Sequence, residues 1–233
     1  MRKGKRLGTI LITILAITVL AAAADARFGF SPPLGVLGFT NAENWEARLV
    51  NPWNPLPEGF TPPSLGVTRD GYYFDSRAVN AVDELIAGGA EAGYTLALVS
   101  AYRTQEYQSQ LFENKVSQYL AEGYSREDSE RHAATVVARP GHSEHNLGLA
   151  VDITSASHTA LDGAFGNTAE ALWLRENCAE YGFILRYPED KTDITGIIYE
   201  PWHFRYVGKS TAQYIMSNDL TLEEYLGMVE NNP

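Results

Sequence analysis

Between residues 76 and 93 the apolar positions are Ala78, Val79, Val82, Leu85 and Ile86, a spacing that lines one face of a helix. Gly88-Gly89 weakens the end of this helix and Gly93 closes it. Residues 95–99 form a short apolar run and read as a buried strand leading into Ser100-Ala101-Tyr102-Arg103. A second helix is expected over 104–121, with Tyr107, Leu111, Phe112, Tyr119 and Leu120 on its apolar side. Ser125 with Asp128 three residues later resembles a capping box and starts a third helix, which ends before Pro140-Gly141.

Residues 149–153 read as a strand, and 168–181 as a fourth helix stopped by Gly182 in the position a C-terminal cap prefers. Strands are expected at 183–186, 196–199 and 203–207, followed by two short helices. The mixed order, without regular strand–helix alternation, predicts an α+β fold: one small domain with a central antiparallel sheet and helices packed against it. There are no internal repeats.

The two ends of the chain follow other rules. Arg2, Lys3, Lys5 and Arg6 precede an uncharged run over residues 7–24, and Ala24-Asp25-Ala26 offers small residues at the spacing a signal peptidase reads. Residues 1–26 are therefore expected to be a signal peptide cut before Arg27. The alternative is a membrane anchor through residues 7–24, which approach the ~20 needed to span a bilayer. Either way the rest of the chain is exported, and no cysteine near the cut suggests a lipid attachment.

Seven prolines between residues 28 and 63 mark 27–65 as a linker and extended arm, with the part around 48–57 expected to lie along the domain. The catalytic domain is expected over 66–228, with a tail at 229–233. The formal net charge is −11, and loss of residues 1–26 removes four basic residues and Asp25, making the remainder more negative still. Such a surface disfavours nucleic acid as a partner, because that binding rests on Lys and Arg meeting phosphates. The single cysteine, Cys178, excludes an internal disulfide and reads as core. A monomer is expected.

Candidate chemistry gathers in three stretches. Ser143-Glu144-His145-Asn146-Leu147-Gly148-Leu149-Ala150-Val151-Asp152 carries a His and an Asp seven positions apart, flanking a turn at Gly148. Glu200-Pro201-Trp202-His203 adds a second His with a Glu three residues before it. Two imidazoles and a carboxylate are a common protein share of a catalytic zinc site, and a nearby Glu supplies the general base. Trp202 reads as a packing residue that shields the site. His132 and His158 read as surface residues, His142 as a candidate partner of a ligand, and Tyr187 and Tyr199 as candidates to border a groove.

These stretches, with Tyr181-Gly182-Phe183-Ile184-Leu185-Arg186-Tyr187-Pro188 and the continuation to Gly208, resemble the VanY-like D-alanyl-D-alanine carboxypeptidases, zinc peptidases that trim cell-wall peptides. The resemblance runs from about Asn51 to Gly208. It implies that His145, Asp152 and His203 hold Zn²⁺ and that Glu200 acts as base and then acid. Arg103 would face the scissile carbonyl or the terminal carboxylate, and Ser143 and Gln108 would lie in the substrate groove. The implied partners are peptidoglycan stem peptides, cleaved by a D,D-carboxypeptidase. An L,D-carboxypeptidase, an endopeptidase and a zinc-retaining wall-binding protein without catalysis are the alternatives.

Overall fold

The computed structural model describes residues 45–227; the expected leader, residues 27–44 of the expected linker and the tail lie outside the described residues. Two three-residue strands, β1 (Leu65–Val67) and β2 (Tyr73–Asp75), pair antiparallel ahead of helix α1 (Val79–Glu91). Strand β3 (Leu96–Ser100) leads into α2 (Gln105–Ala121) and α3 (Arg126–Ala134). A one-turn helix α4 (Glu144–Leu147) precedes β4 (Ala150–Ser155), and a 3₁₀ segment (Gly163–Asn167) precedes α5 (Ala169–Asn177). A 3₁₀ turn (Cys178–Tyr181), β5 (Phe183–Leu185), α6 (Thr192–Thr195), β6 (His203–Tyr206), α7 (Lys209–Ser217) and α8 (Leu222–Tyr225) complete the order. No helix among the described residues is long and apolar enough to cross a membrane.

The main sheet has the order β3-β4-β6-β5 and is antiparallel throughout, as the α+β reading expects. Alternation along its strands decides what each face does. Val151 and Ile153 of β4, Phe204 of β6 and Leu98 of β3 enter one core with Val82 and Leu85 of α1 and Leu174 of α5. The intervening positions, Asp152 and His203, are directly paired and so leave the sheet on the opposite face. A second core joins Ile184, Ile215 and Leu222 to Ala47 and Leu49 from the segment before β1. Cys178 is fully buried in the first core.

Three details differ from the sequence reading. Residues 196–199 are not a strand: α6 winds through Thr192–Thr195 and stops at Gly196, whose φ of 75° is left-handed. The Thr195 hydroxyl reinforces that stop: its one hydrogen is shared between the carbonyls of Lys191 (3.2 Å) and Ile197 (3.1 Å), and its oxygen accepts from the Ile197 N–H. Helix α3 ends at Ala134, well short of Pro140, because Thr135-Val136-Val137 is a β-branched run that resists helix. Instead, Thr135 accepts from Ile198 N–H, tying this loop to the chain after α6. The fourth helix closes as a tighter 3₁₀ turn before Gly182 (φ 89°).

Gly148 shows why one glycine matters. It ends α4 at φ 79°, and its carbonyl accepts the Asp75 N–H at 2.9 Å, joining the site loop to the β1–β2 pair. A Cβ there would also come within 3.1 Å of Pro62 Cγ. Gly148→Ala should therefore destabilise the protein by roughly 1–2 kcal/mol from the left-handed conformation alone, read as a lower urea midpoint at unchanged slope; an unchanged midpoint would show that the loop relaxes freely.

Candidate metal centre and groove

The sheet places the candidate residues by register. Asp152 of β4 faces Ser100 of β3 on one side and His203 of β6 on the other. His145 arrives from α4, whose first turn is capped by the Ser143 hydroxyl accepting the His145 N–H. Arg103 follows β3 directly, and Gln108 lies in the first turns of α2.

The imidazoles are aimed by their outer partners. His145 Nδ1 lies 2.7 Å from the Ala101 carbonyl, so it carries the hydrogen and leaves Nε2 free to face the site. His145 Nε2 is 3.2 Å from one Asp152 oxygen, and His203 Nδ1 is 3.1 Å from the other. All three donor groups lie within 4.8 Å of one another and are buried. Donors on a tetrahedral ion with bonds of roughly 2.0–2.1 Å sit about 3.3 Å apart, and a small inward shift of the three side chains brings one donor atom from each to that spacing. The set can hold a metal ion.

Glu200 precedes His203 by three residues, its oxygen 3.6 Å from His203 Nδ1. Arg103 completes the wall: Nη2 donates to Asp152 at 2.5 Å, Nε to Ser100 Oγ at 2.9 Å and Nη1 to Gln108 Oε1 at 3.3 Å. Gln108 is buried and anchors the opposite end of its amide on the Ala138 carbonyl at 2.7 Å. Ser143, Gln108, Arg103, Glu200 and the three donors all line one groove of about 560 Å³, which continues outward along α2 past Leu111 and Lys115.

Burial and neighbouring charge spread the ionisation of these groups. Removal from water pushes the Glu200 carboxyl up to about 8, with Asp152 and Glu144 adding to the shift and His203 and Arg103 opposing it. Burial, with Arg103 beside it, pushes His145 down to about 4, so its imidazole is neutral. For His203 burial acts the same way, but hydrogen bonds and charge from Asp152, Glu144 and Glu200 outweigh it and raise the group to about 9 in the metal-free protein. Asp152 is held well below the usual carboxylate range because His145 and Arg103 overcome its burial.

The other sequence candidates disperse. Tyr187 borders the groove, its ring 4.8 Å from that of His203, whereas Tyr199 points at Gly166 in the 3₁₀ segment. His142 bonds the Asn51 carbonyl at 3.1 Å instead of touching a donor residue. His132 packs between Tyr119 and Tyr124, and His158 pairs with Asp162. Trp202 is buried in the first core and lines the groove.

Sequence reasoning passed over a buried charge cluster behind the site. Glu144 Oε1 accepts from Arg186 Nε at 2.8 Å and Arg205 Nη1 at 2.7 Å. Arg186 makes a fork to both oxygens of Glu223 at 2.6 and 2.8 Å, and Asn51 Nδ2 donates to Glu223 at 3.1 Å. Arg205 Nη2 donates to the carbonyls of Glu46 and Arg48. The available signal was Arg186 and Arg205 standing inside otherwise apolar strand sequences, where a charge needs a partner.

Residues 71–209 match the family described as VanY, D-alanyl-D-alanine carboxypeptidase. A D-alanyl-D-alanine carboxypeptidase of Enterococcus faecalis is 41% identical over 185 residues, covering 79% of this chain and 66% of that protein. The crystal structure of the vancomycin-resistance D,D-pentapeptidase VanY, a variant in complex with Zn(II), superposes with a TM-score of 0.70 at 40% identity, covering 78% of this chain and 99% of that one. The LdcB LD-carboxypeptidase superposes with a TM-score of 0.69 at 40% identity, covering 79% of this chain and 88% of that one.

The raised Glu200 group has a measurable consequence for the metal-free protein. Its folded value lies above its unfolded value of 4.5, so between about 4.5 and about 8 the folded state holds a proton that the unfolded chain has released. Stability contributed by this group is present below that window and is lost as pH rises through it. Glu200→Gln removes the dependence: the metal-free variant should match the metal-free wild type near pH 4 and gain steadily on it towards pH 8 in urea unfolding. A difference constant over that range would mean that Glu200 ionises without penalty.

Proposed function

We propose, since the chain belongs to the VanY family of D-alanyl-D-alanine carboxypeptidases, that it is a zinc-dependent D,D-carboxypeptidase removing the terminal D-alanine of peptidoglycan stem peptides. The observation that carries the reading is the convergence of His145, Asp152 and His203, with Glu200 beside them, on one buried point at the floor of a groove. The Zn(II) complex of a VanY relative at 40% identity supports the choice of metal. The basic start and apolar run of residues 2–24 support action outside the cytoplasmic membrane.

Zinc held by the three residues would polarise the scissile carbonyl and acidify the attacking water. A bound cation beside Glu200 also favours its carboxylate, which offsets the burial that raises it in the metal-free state. Glu200 then takes the proton of the attacking water and returns it to the leaving D-alanine amine. Arg103 is held by Ser100, Gln108 and Asp152, one hydrogen on each nitrogen, and keeps a second hydrogen on Nη1 and on Nη2 for a terminal carboxylate or a developing oxyanion. Gln108 holds Arg103 in place and walls the groove. The Ser143 hydroxyl, which accepts the His145 N–H, keeps its own hydrogen for substrate.

The groove runs on past the metal centre along α2, which suits a peptide longer than a dipeptide. An L,D-carboxypeptidase shares the fold at 40% identity, so residues of the groove, and not the fold, must separate the two specificities.

A defined pentapeptide stem ending in D-Ala-D-Ala should release one D-alanine, while the matching tetrapeptide should be a poor substrate; cleavage of the tetrapeptide alone would make the enzyme L,D-specific. Glu200→Gln should retain zinc and lower kcat by ~10²–10⁴-fold, and turnover near that of the wild type would assign the base elsewhere.

Arg103→Lys keeps the charge but not the fork, and should be strongly impaired. A raised KM with kcat preserved would place the guanidinium on the terminal carboxylate, and equal falls in kcat and kcat/KM would place it on the transition state. Wild-type kinetics would remove both roles.

A further inference from the structure

The two nitrogens of His203 face different surroundings. Nδ1 looks into the metal centre, 3.1 Å from Asp152 and 3.6 Å from Glu200. Nε2 points away from it, is buried, and among the described residues has no hydrogen-bond partner at closer range than the second carboxylate oxygen of Glu144, 3.5 Å away. That oxygen is likewise buried and without a hydrogen-bond partner among the described residues. Two buried polar atoms, one a possible N–H donor and the other an anionic acceptor, are costly apart and complementary together.

The cluster behind Glu144 explains why this oxygen remains available. Both arginines converge on Oε1, and their other nitrogens donate to Glu223 and to the carbonyls of Glu46, Arg48 and Tyr206. A cluster serving only to neutralise charge has no reason to leave Oε2 bare. Here the arginines pin one oxygen and thereby aim the other at His203. The short helix α4 makes the coupling tight, since Glu144 and the donor His145 are consecutive residues on it.

We propose that Glu144 is a positioning residue for the metal centre: it accepts the Nε2–H of His203, which fixes the tautomer and the ring so that the Nδ1 lone pair faces the ion. Carboxylates behind metal-bound imidazoles act in this way and are typically worth 10–100-fold in metal affinity. The inference rests on the reading that His203 is a metal donor. Only the Glu144–His203 contact is part of it; the side chains of Arg186, Glu223 and Asn51 lie behind Glu144.

Glu144→Gln is the informative change. Its amide oxygen stays with the arginines, so its NH₂ group turns towards His203 and favours a hydrogen on Nδ1, the wrong nitrogen for metal binding. Glu223→Gln perturbs the same cluster without touching the Glu144–His203 contact and serves as the control. Zinc affinity of the full chain is measured by chelator competition, with circular dichroism as the check on folding. Glu144→Gln should bind zinc about 10–100-fold more weakly, while Glu223→Gln changes affinity far less. Wild-type affinity in Glu144→Gln, or an equal loss in Glu223→Gln, overturns the proposal. Absence of zinc binding by the wild type would instead overturn the metal assignment beneath it. If Glu144→Gln does not fold, the zinc-loaded wild type decides the matter. A hydrogen-bonded proton on Nε2 of His203 in ¹⁵N-labelled protein supports the proposal, and its absence overturns it.

Discussion

A carboxylate in the middle of a buried strand sets the terms for the rest of the molecule. Asp152 is 1% exposed, and an unpaired charge in that position would cost several kcal/mol. Its neighbours meet that cost: Arg103 from the end of β3, His145 from α4 and His203 from its register partner on β6. Each comes from a different element, so satisfying one charge fixes where three segments end. The same gathering brings two imidazoles and a carboxylate within 4.8 Å of one another, a donor set that can hold a cation.

Glu200 belongs to the same electrostatic problem with the opposite solution. It is buried beside Asp152 and Glu144, and without a metal it resolves the crowding by taking up a proton. Asp152 held charged and Glu200 held protonated show two buried carboxylates of one groove set to different states by environment and not by residue type.

Much of this was legible in the sequence, for reasons that can be named. Helix α1 announced itself by its apolar spacing, and Gly182 by its place after a helix. The donor set was visible because motifs concentrate chemistry in short segments. The β1–β2 pair went unseen because strands of three residues carry too little alternation to register. Residues 196–199 read as a strand because Ile197, Ile198 and Tyr199 are apolar, yet Gly196 is the cap of a preceding helical turn. Glu144 was hidden for a different reason. Its partners lie 42 and 61 residues away in Arg186 and Arg205, and no local pattern links them.

The contact between Asn51 and Glu223 spans 172 residues. Joining chain segments that far apart costs loop entropy before any contact repays it, which predicts that such links close late in folding. Interactions absent from the folding transition state leave the folding rate almost untouched and slow unfolding instead. The segment carrying Asn51, with its carbonyls on Arg205, therefore acts as a clasp. It does little for how quickly the native state is reached and much for how long that state lasts.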